Sequence, residues 1–127
     1  MNQKRILIVD DESGFTRLLK LTLEKTGKFI VKEENDATRA HETAHEFRPD
    51  LILLDIVMPK IDGGDVASKI REDWSLQRTP IVFLTAIVSN KEAHSNHLIG
   101  GFPFLAKPIS LENLIKCIEE NLPTAPI

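Results

Sequence analysis

Residues 51–55 read Leu51-Ile52-Leu53-Leu54-Asp55, four consecutive large aliphatic side chains closed by a carboxylate. An unbroken apolar run of this length lacks the polar alternation of a half-exposed strand. It predicts a strand covered on both faces, as in a parallel sheet. The pattern recurs along the chain. Ile6-Leu7-Ile8-Val9 ends in Asp10-Asp11, Ile81-Val82-Phe83-Leu84 ends in Thr85, and the shorter run from Phe102 to Ala106 ends in Lys107. Phe29-Ile30-Val31 is a fifth candidate, less apolar and so expected nearer a sheet edge.

Between these runs the periodicity changes from continuous to helical. Phe15, Leu18, Leu19 and Leu23 share one face, and Ala37, Ala40, Ala44 and Phe47 another whose small residues permit close packing. Val66, Ala67, Ile70 and Trp74 form a third stripe. Leu111, Leu114, Ile115, Ile118 and Leu122 form the clearest, led by Ser110 as the expected N-cap. Residues 90–99 give the weakest helix, diluted by two Asn, two His and a Ser. Turn residues agree with these divisions: Gly27, Pro49-Asp50, Gly63-Gly64, Thr79-Pro80 and Gly100-Gly101 all fall between elements. Five strands alternating with five helices predict an α/β domain with a doubly wound parallel sheet of order 2-1-3-4-5, in the flavodoxin-like manner. Its ligand crevice lies where the winding reverses, at the carboxyl ends of the first and third strands.

Bulk properties fit this frame. The 127 residues suit one domain, expected over 1–122, with 123–127 as a tail or the start of a linker. Hydrophobic residues make up 42% and charged residues 28%, as in ordinary globular domains. The net charge of −3 argues against direct nucleic-acid binding, which favours a basic surplus. The single cysteine, Cys117, permits no internal disulfide and sits one position off the last apolar stripe, where a buried or half-buried thiol is expected. The N-terminal stretch MNQKRILIVDDE reaches its acidic pair too early for a secretory signal, and no run approaches the roughly 20 apolar residues of a membrane span, so a cytoplasmic location without membrane contact is expected.

The strand ends carry the chemistry. In a parallel sheet all carboxyl ends point one way, so Asp10, Asp11, Asp55, Thr85 and Lys107 converge in one pocket. Three crowded carboxylates repel one another unless a cation joins them. A hard divalent ion such as Mg²⁺, with its preference for octahedral oxygen ligands, suits that role. Asp11, Asp55 and the backbone carbonyl of Val57 are the expected direct ligands, with Asp10 holding a metal-bound water. An Asp55 oxygen is then the nucleophile toward phosphorus, with Lys107 neutralising phosphoryl charge and the Thr85 hydroxyl donating to a phosphoryl oxygen. Taken singly, each of these residues also suits a capping, turn or solvated surface role; their joint placement behind different apolar runs favours the functional reading.

These segments resemble the receiver domain of two-component response regulators. The matching motifs are Ile6–Glu12 (ILIVDDE), Pro49–Gly63 (PDLILLDIVMPKIDG), Pro80–Ala86 (PIVFLTA) and Gly100–Ile109 (GGFPFLAKPI), within a resemblance spanning about residues 4–121. It implies Asp55 as phosphoacceptor, Asp10 and Asp11 as the acidic metal pair, Thr85 as the switch hydroxyl and Lys107 as the site lysine, followed by a cis bond to Pro108. It implies Phe104 as the aromatic switch residue, turning inward as Thr85 moves, although a plain core role also suits that ring. Ala86, small, keeps the path to Asp55 open. The implied partners are a sensor histidine kinase or histidine phosphotransfer protein as donor, and a downstream output protein or domain. At the family's variable positions stand Val57 and Ile87, both apolar and unable to orient water, which predicts a long-lived aspartyl phosphate.

Departures from the family pattern lie in residues 88–103, where Gly100-Gly101 replaces the usual Gly-Ala and Pro103 removes a backbone donor from the last strand. Glu119 and Glu120 close the last helix where winged-helix regulators tend to be basic, so the dimer of that subfamily is not expected. Two other function classes fit the sequence less well. A receiver-like binding module without phosphorylation would usually have lost an acidic residue, the Thr or the Lys. A phosphatase with an aspartyl nucleophile would commonly carry a second Asp two residues later, where Val57 stands. His41/His45 and His94/His97 have metal-compatible spacing but show no third ligand in the sequence.

Overall fold

The structure, a computed structural model, describes residues 3–56, 61–86, 98–99 and 101–123. In chain order the strands are β1 (Lys4–Val9), β2 (Phe29–Glu34), β3 (Leu51–Asp55), β4 (Ile81–Thr85), β5 (Leu98–Ile99) and β6 (Phe102–Ala106). The helices are α1 (Ser13–Lys25), α2 (Ala40–Phe47), α3 (Gly63–Glu72) and α4 (Leu111–Asn121), with single 3₁₀ turns at Ala37–Arg39 and Trp74–Leu76.

The sheet runs β2-β1-β3-β4-β6-β5. The five longer strands are parallel, which gives the doubly wound order read from the apolar runs, with Phe29–Glu34 at one edge. The alternation along each buried strand divides the core in two. Leu7, Val9, Ile52, Leu54, Ile81 and Phe83 face Ala40, Ala44, Val66, Ala67 and Ile70 of α2 and α3. Ile6, Ile8, Leu51, Leu53, Val82 and Leu84 face Leu19, Leu23, Leu114 and Ile118 of α1 and α4. Both faces are covered, so the buried stretches 6–9, 51–54 and 81–84 are apolar at every position. Fully burying such a side chain contributes about 1.5–3 kcal/mol, and this two-sided core fixes the register that aligns the strand ends: Val9 opposite Leu54, Asp55 opposite Leu84, Thr85 opposite Ala106.

Several expectations are corrected. Four α-helices, not five, lie among the described residues; most of residues 90–99 falls outside them, including His94 and His97. The last two residues of that segment are strand, not helix: Leu98 and Ile99 pair antiparallel with Pro103 and Phe102, making the sheet six-stranded. Gly101, at φ +87°, adopts the left-handed conformation that lets the chain reverse there. Trp74 leaves the α3 stripe and is 83% exposed. Asp73 is extended (φ −80°, ψ 109°), ends α3 and caps the following 3₁₀ turn, which carries Leu76 into the core instead. On α1 the buried stripe is Thr16, Leu19 and Leu23, leaving Leu18 exposed. Ser110 does cap α4, its hydroxyl accepting from Asn113 N–H at 3.1 Å.

Candidate functional site

Each chemically active residue stands at the carboxyl end of a strand or within two positions past it. Asp10 follows β1 and Asp55 ends β3; both are buried, whereas Asp11 is exposed. Oxygen atoms of the three carboxylates lie within 4.8 Å of one another, a set suited to holding a metal ion. Their chemistry, hard oxygen donors at one open edge, fits the Mg²⁺ expected from the sequence.

Lys107 is the counter-charge, and its side chain is only 14% exposed. Its Nζ donates to Asp10 Oδ2 at 2.7 Å and lies 3.4 Å from Glu12 Oε1 and 3.9 Å from Asp55 Oδ2. Burial works to lower the Lys107 pKa, but the Asp10 hydrogen bond and charge, joined by the charges of Asp55 and Glu12, outweigh it and the pKa is raised. The ammonium is therefore held charged where it can meet an anionic group on Asp55. The face of the Phe15 ring closes over it, 4.2 Å from Nζ to the ring centroid.

Backbone contacts set these side chains in place. Asp10 Oδ1 accepts from Glu12 N–H at 3.0 Å, and the Asp10 carbonyl accepts from Asn35 Nδ2 at 2.7 Å. Lys107 N–H donates to the Thr85 carbonyl at 2.8 Å, joining the ends of β4 and β6. The Lys107–Pro108 bond is cis, as the resemblance implied. Beyond Asp55, Ile56 N–H bonds Leu84 O and Gly63 N–H bonds Ile56 O, each at 3.0 Å. Asp62 caps α3 through Gly64 N–H at 2.6 Å.

Thr85 is fully buried at the end of β4, and Ala86 beside it is exposed. Phe104 is half-buried, opposite Phe83 in the register, and packs on the α2–α3 side of the core. Val57 and Ile87 lie outside the described residues. Asp10, Asp11, Asp55 and Lys107 are thus brought together, with the Lys107 backbone bonded to Thr85. Glu12 and Phe15 were missed. Glu12 lies inside the ILIVDDE motif, but its contact with a lysine 95 positions away follows only from the fold. Cys117 is half-buried; burial pushes its thiol pKa up, against a hydrogen bond from Asn121 Nδ2 at 3.5 Å. No helix among the described residues is long and apolar enough to cross a membrane.

Comparison with known proteins is consistent across sequence and structure. Residues 6–119 match the family model described as the response regulator receiver domain. Among curated proteins, response regulator Rre1 of a Synechocystis species is 36% identical over 117 residues, covering 92% of this chain and 50% of that protein. The chain spans about half the length of the curated relatives it matches. Among solved structures, the Vibrio cholerae chemotaxis protein CheY4 superposes with a TM-score of 0.83 at 27% identity, covering 95% of this chain and all of that one. The receiver domain of the Pseudomonas aeruginosa sensor histidine kinase PA1611, with a magnesium ion coordinated in its active-site cleft, superposes with a TM-score of 0.80 at 28% identity, covering 94% and 98% of the two chains.

Proposed function

The chain belongs to the response regulator receiver domains of two-component signalling, and from that premise we propose that Asp55 accepts a phosphoryl group from a phosphohistidine on a sensor kinase or phosphotransfer protein. The observation that carries this is the buried Asp55 carboxylate at the end of β3, gathered with Asp10 and Asp11 and 3.9 Å from the Lys107 ammonium. An Asp55 oxygen forms a bond to phosphorus as the phosphorus–nitrogen bond to the donor histidine breaks, and the leaving imidazole retains that electron pair and takes up a proton.

Asp11 and Asp55, with the carbonyl of Val57, are the proposed direct ligands of Mg²⁺, and Asp10 the holder of a bound water. When bound, the ion supplies positive charge to the transferring phosphoryl oxygens. Lys107 turns from Asp10 toward those oxygens and shares the load. Thr85, on the strand end bonded to Lys107, is the switch hydroxyl; as it turns to the phosphoryl group, Phe104 turns inward and changes the face offered to an output protein or domain. Ala86 leaves the approach to Asp55 open, and Lys107–Pro108 sets the turn that aims the lysine. The domain acts as a regulatory phosphoacceptor in the cytoplasm, occupies residues 1–122, and contacts neither nucleic acid nor membrane. Every residue that a purely binding module would have shed is present, so no observation favours that alternative.

Borohydride reduction after reaction with a small phosphodonor tests the assignment, because it converts an aspartyl phosphate to homoserine. Homoserine at position 55 alone is the expected result; homoserine at another aspartate would overturn it.

A further inference from the structure

Away from the acidic pocket, a second group of ligand-type side chains meets on the α2–α3 layer. His41 and His45 lie one turn apart on α2, within His41-Glu42-Thr43-Ala44-His45. Histidines at i and i+4 share a helical face, a spacing that holds zinc in helical sites. A pair alone falls short of the three protein ligands that an open zinc site uses. The fold supplies the third from 28 residues beyond His45. Asp73 Oδ2 lies 2.9 Å from His41 Nε2 and 2.7 Å from His45 Nδ1. Its other oxygen, Oδ1, accepts from the Ser75 N–H at 3.0 Å and the Ser75 hydroxyl at 2.6 Å. The carboxylate is therefore anchored from behind while its free edge faces both imidazoles, the arrangement in which outer hydrogen bonds orient a metal ligand. These hydrogen bonds also hold Asp73 well below the usual carboxylate range, so it is ionised near neutral pH.

We propose that His41, His45 and Asp73 form a binding site for a zinc-class divalent ion, with water completing the coordination. As it stands the cluster is hydrogen-bonded and not yet chelating. Tetrahedral bonds of about 2.0 Å put ligand atoms about 3.3 Å apart and two ligating imidazole centroids about 5 Å apart. The rings here are 6.3 Å apart, so loading draws them together by more than one ångström and opens the nitrogen–oxygen distances by about 0.5 Å. The side chains of His41 and His45 are 33% and 53% exposed and turn without disturbing the core. A neutral imidazole meets the ion by keeping its hydrogen on the nitrogen turned away. Glu42, beside His41, pairs with Arg39 at 3.8 Å on the exposed side and takes no part. The bound ion ties α2 to the α3–β4 connection.

Trp74 provides the reporter, since it adjoins Asp73, is 83% exposed and is the protein's one tryptophan. The tag-free chain is titrated with Zn²⁺ against a chromophoric chelator, in excess Mg²⁺ to keep the acidic pocket from competing, and separately with Co²⁺ while Trp74 fluorescence is followed. The expected result is one zinc per chain, quenching by Co²⁺, and affinity reduced by at least about tenfold in His45→Gln and in Asp73→Asn. Because Asp73 also caps a turn, His45→Gln, at an exposed position, is the deciding variant once its circular dichroism matches wild type. Equal zinc affinity in wild type and His45→Gln, no zinc uptake by wild type, or uptake abolished only by Asp11→Asn would each overturn the proposal.

Discussion

Gly63 is the position where one methyl group should do the most harm. It opens α3, and a Cβ built there would lie 2.5 Å from the Asp55 carbonyl oxygen and 2.7 Å from Ile56 Cα. Ordinary carbon–oxygen contacts sit at about 3.3 Å, so Gly63→Ala must displace backbone by about 0.8 Å. The neighbours are main chain, with no side-chain rotamer to absorb the strain. Overpacking of this kind costs about 1–3 kcal/mol, and the Gly63 N–H to Ile56 O bond loosens with it, at about 1 kcal/mol. The better helix propensity of alanine returns about 0.5 kcal/mol. The expected net loss is about 1.5–3.5 kcal/mol, or a fall in Tm of about 6–14 °C for a domain of this size. Gly14→Ala is the matched control. It lies in the first turn of α1 with nothing within 4 Å of a built Cβ, and a gain of about 0.5 kcal/mol is expected. Urea melts and thermal scans of both variants measure the difference, and a small phosphodonor shows whether moving the Asp55–Ile56 backbone also slows phosphorylation. A Gly63→Ala protein melting within about 2 °C of wild type would refute the claim that α3 is seated on β3 through this contact.

Other expectations follow from single contacts. Ser110→Ala removes the α4 cap and should cost about 1 kcal/mol in urea melts. The Lys107 pKa is raised in the folded state, so its linked stability is fully present below its ordinary value of 10.5 and is lost as pH rises through the folded value; alkaline melts of wild type should show this loss and Lys107→Met should lack it. The half-buried Cys117, its thiol pKa pushed up by burial, should react with a disulfide reagent at pH 8 more slowly than a free thiol and match it in denaturant. With Val57 and Ile87 both apolar, the aspartyl phosphate should decay slowly in Mg²⁺ buffer, and Val57→Gln, which can orient water, should hasten the decay.

The three central strands β1, β3 and β4 were legible because two-sided burial writes itself as unbroken apolar runs. The more exposed β2 and β6 showed as shorter runs, and the pocket was legible because parallel strands gather their carboxyl ends. Helix-phase details were less so. Leu18 and Trp74 satisfy an apolar stripe on paper, but Leu18 lies one step from the buried Leu19, and Asp73 breaks the helix before Trp74 can join α3. The β5 pair is too short to carry a period of its own. Contacts bridging distant segments leave no local trace. Phe15 over Lys107, and Asp73 between His41 and His45, depend on how α1 and α2 dock, which no spacing within one element reveals.

The central claim is most directly tested by intact mass after incubation with a small phosphodonor, comparing wild type with Asp55→Asn, with and without Mg²⁺. The account predicts one added phosphoryl group on wild type with Mg²⁺, and none without the ion or in the variant. A folded wild-type protein that binds Mg²⁺ yet gains no phosphoryl group from small or phosphohistidine donors, or an adduct that persists in Asp55→Asn, would contradict it.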